Sequence, residues 1–375
     1  MPVHKIVFLA AILSLTFGSL LCQGAGAQKP PKVLNVADFG AVGDGKTDDQ
    51  DALTKVFNIA SLDNHAIVTF PAGTYLHSGT LEIGGDVTVL GEGATLQGMN
   101  ASAQTLSLDR VFVNKLNVSA VAGGTAIKSD QDAVFTLVDC KIQGGTDCLD
   151  MTSVRNCTIR NCTFLPGTNG VALKVTTCTG IGIENNTFSG SGSASSQTAI
   201  QCSGTGITVG TGNTFSNLNF AINATNVNQM KIAGNTFSKC ASSISVQNSQ
   251  TVEIDSNSLA NTDRIYVFNS NPVAITKNLF ANIQTQAVLS STNGGTVRIH
   301  GNNIINCGLS SSTTPPAVIY SDGKEFVPFK GSLSITDNIY IGNTQNLKYF
   351  IETPVSSAKL AGNKTNTILP NKVGP

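Results

Sequence analysis

The sequence predicts an all-β fold in which one chain winds into a parallel β-helix, a solenoid, with a capping helix at its N-terminal end. Three observations carry this. A short phrase recurs along the chain, apolar residues alternate at period two, and Gly, Asn and Ser punctuate each short segment.

The phrase is an aliphatic residue, two residues, Asn, one residue and an apolar group. It reads Ile183-Glu-Asn-Asn186-Thr-Phe188, Ile232-Ala-Gly-Asn235-Thr-Phe237, Ile254-Asp-Ser-Asn257-Ser-Leu259, Ile275-Thr-Lys-Asn278-Leu-Phe280 and Ile299-His-Gly-Asn302-Asn-Ile304. Later copies centre on Asn338 and Asn363, and Asn213 fits with one extra residue before it. Cys140 and Cys162 take the Asn slot in two earlier copies, and Asn114 opens the series. Successive members lie 21 to 27 residues apart, apart from one step of 36 between Asn302 and Asn338. Pairs such as Val252-Glu-Ile254 and Val297-Arg-Ile299 mark short strands rather than helices. Stacked coils sit about 4.8 Å apart, so each Asn can bond to the next copy along the axis. Asn also tolerates the left-handed angles that tight turns require.

The bulk numbers fit such a repeat. Charged residues make up 12% of the 375, 23 basic against 23 acidic, and 37 are Gly. A net charge of zero argues against nucleic acid as a partner. His4 and Lys5, the apolar run Ile6 to Leu21 and the small-residue site Ala25-Gly26-Ala27 read as a signal peptide over 1–27, with the mature chain starting at Gln28. The expectation is a secreted, extracellular monomer, off the membrane once the signal is cleaved. Nine cysteines become eight when Cys22 leaves. An even count in a secreted chain suggests disulfides, with Cys140 and Cys162, one coil apart, as the first pair to test. A stack of free buried thiols is the equal alternative.

Residues 28–34 read as a linker, 35–365 as the β-helix and 366–375 as an irregular tail. The run Asn35 to Asp49 is a strand, a Gly-Asp-Gly turn and a helix start. Thr47 or Asp48 is placed to cap a helix through Ala52, Leu53, Val56 and Phe57. That helix closes the open end of the solenoid, so the turn is read as structural rather than as a phosphate or metal cradle. The 36-residue step holds a polar loop, Ser310 to Pro316, and a turn at Ser321-Asp-Gly323-Lys. It is either a wall over one face or a surface excursion.

Asn35 to Asp49, with Val68-Thr-Phe70-Pro71-Ala-Gly73-Thr74-Tyr75 and Val89-Leu-Gly91-Glu-Gly93, resembles the opening region of the pectate lyase superfamily. That group includes polygalacturonase-like hydrolases, plant-type pectin enzymes and phage depolymerases. The resemblance implies a right-handed, single-stranded parallel β-helix and an extracellular acidic polysaccharide as partner. Thr146-Asp147-Cys148-Leu149-Asp150 resembles the Asn-Thr-Asp motif of polygalacturonase-like enzymes without its Asn, and Gly170 to Lys174 resembles their Arg-Ile-Lys motif with Ala172 in place of Arg. The coil after Asp150 offers Asn169-Gly170 instead of a paired Asp-Asp, and Gly-His-Gly is missing. These departures argue against that hydrolase constellation.

A second column precedes the Asn column, with Ile127, Leu149, Val171, Ile200, Ile222, Ile244 and Ile265 as inner residues. Residues at +1 and +3 from each should face outward, and Leu106 extends the same pattern. Charge then gathers at the N-terminal end of one face. Asp130, Asp150, Lys174 and Lys128 are the candidate catalytic residues, with Lys128 expected to stack on Asp150. Asp130 and Asp150 should lie about 8 Å apart by backbone, enough to admit a water as inverting glycosidases require. Asp109, Arg155, Gln201, Asn223 and Tyr266 are candidate substrate contacts. The sequence specifies no cofactor; Asp109, Asp130 and Asp150 offer carboxylates for Ca²⁺, and Lys128, Lys174 or Arg155 could abstract a proton in a lyase. The bland alternative is a solvated face of ion pairs. Sequons stand at Asn100, Asn117, Asn156, Asn161, Asn185, Asn223 and Asn363, and Asn363 should stay unmodified because it lies in the inward column. Two functions remain open: an enzyme on an acidic polysaccharide, by lyase or hydrolase chemistry, and a non-catalytic β-helix that binds polysaccharide or builds an extracellular surface.

Overall fold

In the computed structural model the chain is a right-handed parallel β-solenoid with very little helix. The structure describes residues 30–63, 65–100, 105–131, 133–192, 196–204, 206–291, 294–308, 317–322, 330–342, 349–353, 358–366 and 369–373. The segment read as a signal, Gln28 and the Ser310 to Pro316 loop lie outside them, and of the Ser321-to-Lys324 turn only Ser321 and Asp322 are described. Three parallel sheets of 13, 14 and 13 strands, termed A, B and C, run the length of the described solenoid. A regular coil supplies one strand to each in that order, as Val134–Val138, Lys141–Gln143 and Asp147–Thr152 do.

Period-two patterning becomes alternating burial: in Val252–Asp255 the two aliphatic side chains are buried and the acids between and after them are not. The apolar residue that closes the phrase fills the interior below sheet B. Phe164, Phe188, Phe215 and Phe237 stack there with ring centroids 4.8 to 5.1 Å apart and planes within 10° of parallel. That spacing follows the coil repeat, so identical side chains in register stack face on face.

The Asn column forms a continuous ladder from Asn186 to Asn363. Each Nδ2 donates to the Oδ1 of the next rung at 2.8 to 3.3 Å. The same Oδ1 accepts the backbone N–H of the rung before, starting with Cys162 on Asn186 at 2.8 Å. The Asn302–Asn338 rung closes at 2.9 Å, so the long step leaves the ladder intact. Two expectations are corrected. The left-handed angle belongs to the residue before each rung, as in Asn185, Ser256, Lys277 and Asp337 at φ 54 to 56°, and not to the rung itself. Asn114 pairs with Val138, so the residue stacked above Cys140 is the buried Leu116. The column therefore runs Leu116, Cys140, Cys162 and then Asn.

All eight described cysteines are buried free thiols, so the disulfide expected between Cys140 and Cys162 is not formed. In-register stacking holds neighbouring side chains about 4.8 Å apart, beyond the roughly 3.5–4.5 Å between Cβ atoms that a disulfide needs. Their sulfurs instead donate to the backbone, Cys140 Sγ to the Val138 carbonyl and Cys162 Sγ to that of Arg160, each at 3.2 Å.

The cap is helix α1, Gln50–Leu62, which buries Leu53, Val56, Phe57 and Ala60 on one stripe. Its N-cap is Asp49 rather than Thr47 or Asp48. The Asp49 carboxylate makes no cap bond. It accepts the backbone N–H groups of Val42 at 2.6 Å and Gly43 at 3.1 Å, while Asp48 accepts that of Gln50 at 3.0 Å. Asp44 accepts Lys46 and Thr47, so the Gly-Asp-Gly turn spends its carboxylates on its own backbone and is structural. Gly43 sits at φ 66° with the Tyr75 ring 2.7 Å from where a Cβ would stand, so only Gly fits. The regular fold also extends past both expected boundaries. Val33–Asn35 already pairs with Ile67–Thr69, and Lys372–Val373 adds a strand beside Tyr349–Thr353.

Candidate functional site

Sheet C presents one outward row in register: Lys128, Asp150, Lys174, Gln201, Asn223, Ser245 and Tyr266. The row matches the sequence reading, but one inner residue does not. Leu173 stacks between Leu149 and Ile200, where Val171 was expected, and Ala172 is buried rather than outward. The cause is a departure from alternation. Cys148 and Leu149 are both buried, as are Ala172 and Leu173, Ala199 and Ile200, and Ala221 and Ile222. Two adjacent inward residues bring the residue before them onto the same side as the residue after them. Asp147 and Asp150 thereby reach the same lysine.

Lys174 Nζ donates to Asp150 Oδ2 at 3.2 Å and lies 3.8 Å from Asp147 Oδ2. The Asp147 and Asp150 side chains are 11% and 18% exposed against 42% for Lys174. Burial raises the Asp147 carboxyl above the ordinary carboxylate range. Lys174 opposes that rise, Asp150 adds to it, and a hydrogen bond from the Val171 backbone lowers it again. Asp150 Oδ1 is buried with no hydrogen-bond partner, so its carboxylate keeps an unused acceptor. The edge beside Asp147 is bare backbone: a Cβ on Gly170 would stand 2.0 Å from the Thr146 carbonyl oxygen, which holds the two turns in direct contact. Asp147 is the residue that sequence reasoning missed. Its signal was the acid three before Asp150, hidden by the assumption of strict alternation.

The other candidates are distributed differently. Lys128 stacks in register on Asp150 as expected, but its ammonium pairs with Asp130 on its own strand at 3.7 Å, and the lysine that bonds Asp150 is Lys174. Asp130 stands in register with Thr152, away from the Lys174 centre. Asp109 lies just past the strand Leu106–Leu108 and pairs with Arg110 at 3.7 Å. Among the described residues no group of three or more His, Cys, Asp or Glu is gathered to hold a metal ion, so Asp109, Asp130 and Asp150 do not assemble as a Ca²⁺ site. Arg155 sits in the turn after Asp147–Thr152, beyond the sheet C row. Gln201, Asn223 and Tyr266 do line the face that leads away from Lys174. His300 is on sheet A, 3.2 Å from Asp337, and His77 is buried on sheet B. Asn363 is bound into the ladder, accepting from Asn338 and donating to the Ile335 carbonyl at 2.6 Å.

Fold and face together define a pectate lyase-like β-helix. Residues 33–266 match the family described as rhamnogalacturonase A/epimerase, pectate lyase-like, and the chain belongs to that family. Residues 172–372 also match the right handed beta helix region. No curated protein sequence matches the chain. Among solved structures, it resembles the catalytic unit of a thermostable GH87 alpha-1,3-glucanase from Streptomyces thermodiastaticus (TM-score 0.60, 15% identity, 91% of this chain and 70% of that one). It also resembles an exopolygalacturonase from Thermotoga maritima (0.57, 11%, 89% and 93%). A third likeness is to the A-module of a mannuronan C-5 epimerase from Azotobacter vinelandii (0.51, 15%, 91% and 98%). At these identities the likeness is one of fold.

Proposed function

We propose that this protein is an enzyme that breaks glycosidic bonds in an acidic, uronate-containing polysaccharide by acid–base catalysis at Asp147 and Asp150. The observation that carries the reading is one lysine held between two carboxyl groups of unlike environment on an open sheet face. Asp147, with its raised proton affinity, suits the role of acid to the leaving oxygen. Asp150, whose Oδ2 accepts from Lys174, suits the role of base. Both oxygens lie within 3.8 Å of one nitrogen, so they are about 7 Å apart at most, a bound that admits the roughly 5 to 7 Å at which paired carboxyl groups act on one bond. Lys174 donates to Asp150, which makes it a clamp on the pair rather than the base of a lyase. The reading of residues 1–27 as a secretion signal supports an extracellular setting for this activity.

The test is to incubate the purified protein with polygalacturonate, rhamnogalacturonan, alginate and alpha-1,3-glucan. New reducing ends without unsaturated products support hydrolysis, and Asp150→Asn should abolish them. Unsaturated uronate products would assign elimination instead. Binding to a polymer with no product from any of them would overturn the enzyme reading in favour of a non-catalytic polysaccharide-binding protein.

A further inference from the structure

The outward row changes character along the axis. It is charged through Lys174, carries amides at Gln201 and Asn223, is covered at Ser245, and becomes aromatic at Tyr266. Phe268, two residues on, shares that face. Both rings are partly exposed, with centroids 6.4 Å apart and planes 15° from parallel. Leu289 continues the apolar surface in the next coil. Side chains of this size are usually drawn inward, and here they stand on the outer face of a strand whose inner face is already filled by Ile265 and Val267. Near-parallel, partly exposed rings on an outer sheet face match the apolar C–H face of a pyranose.

Register sets the distance. Tyr266 is five coils from Asp150 in one unbroken row, about 24 Å at about 4.8 Å per coil. A pyranose chain laid along the axis advances by nearly one sugar per coil. We infer that Tyr266 and Phe268 form a distal subsite that stacks a sugar ring about five residues along the polymer from the Asp147–Asp150 centre. It favours long chains over short oligomers, and it selects by ring face rather than by charge. The inference rests on the proposed function only in taking that centre as the point of cleavage.

The experiment is a series of uronate oligomers of three to eight sugars, assayed with the wild type, Tyr266→Ala, Phe268→Ala and the conservative Tyr266→Phe. The wild type should show a rise in kcat/KM of about five- to tenfold as the oligomer reaches five to six sugars. Tyr266→Ala and Phe268→Ala should lose that rise, and Tyr266→Phe should keep it. Binding of the same oligomers and of the long polymer to Asp150→Asn, with and without Tyr266→Ala, separates the two claims. If no variant cleaves anything but long chains still bind through Tyr266, the catalytic reading fails and the subsite stands. A length effect that persists in Tyr266→Ala, or no length effect in either cleavage or binding, overturns the subsite. Matched thermal midpoints show that the variants are folded.

Discussion

The coils around Asp150 and the coils from Asn186 onward share one backbone plan and divide their chemistry in opposite ways. In the later coils the polar investment is inside, as a hydrogen-bonded ladder of amides, and the outer face of sheet C carries no charge from Gln201 to Tyr266. In the earlier coils the column is apolar or thiol, Leu116, Cys140 and Cys162, and the charges stand outside at Asp147, Asp150 and Lys174. The difference teaches that rigidity and reactivity are set independently at the same coil. The turn column fixes where the strands lie, and the outward row is then free to vary.

The sharpest way to break the comparison is at the outer face of the early coils. Asp150→Asn should lower turnover by at least about 100-fold in a reducing-end assay. Its thermal midpoint should barely move, because among the described residues the carboxylate bonds only to Lys174. The interior of the late coils should respond the other way. Asn257→Ala removes an acceptor used twice by Asn235 and a donor to Ile232 and Asn278, so stability should fall by about 3 kcal/mol in a denaturant melt, with catalysis preserved in the folded fraction. A smaller effect is expected where the two regions meet. Cys162→Asn places an amide directly before Asn186 and should extend the ladder by a rung, leaving stability within about 1 kcal/mol of the wild type. A loss well beyond that would show that the thiol column is required by packing. Lys128→Gln should be nearly silent in both assays, since its partly exposed pair with Asp130 contributes well under about 1 kcal/mol.

The pH profile sharpens the same contrast. Asp147 is raised above its ordinary value of 3.8, so the native state holds its proton where the unfolded chain has lost it. Its contribution is therefore fully present below that ordinary value and declines as pH rises through the raised one. Stability should fall across that window in the wild type and stay flat there in Asp147→Asn. As the acid, Asp147 also predicts that activity declines on the alkaline side of the same window. A profile that keeps rising through it would remove Asp147 from the acid role.

The fold was legible because its information is redundant. Many copies of one phrase fix the period, and the alternation around Ile254 and Ile299 names the element type. The outward row from Lys128 to Tyr266 was legible for the same reason. What failed was local. Asn114 matched the phrase yet sits in the strand facing Val138, because a phrase match does not show where a turn begins. Cys140 and Cys162 were correctly placed one coil apart, but the stacking distance that makes them neighbours also keeps them from bonding. Asp147 was hidden by the paired inward residues Cys148 and Leu149, a departure visible only in backbone geometry. The N-cap shifted to Asp49 because three acids lie within six residues and each found a different backbone partner.

Each rung of the ladder has the same polarity, a donor toward one end of the axis and an acceptor toward the other. A rung therefore makes identical demands on whatever stands above and below it. Whole coils can be gained or lost by duplication or deletion without orphaning a partner, and a coil can lengthen without breaking the ladder, as the step between Asn302 and Asn338 does. The ladder thus makes the molecule a ruler whose divisions are coils, and evolution can set its length one division at a time.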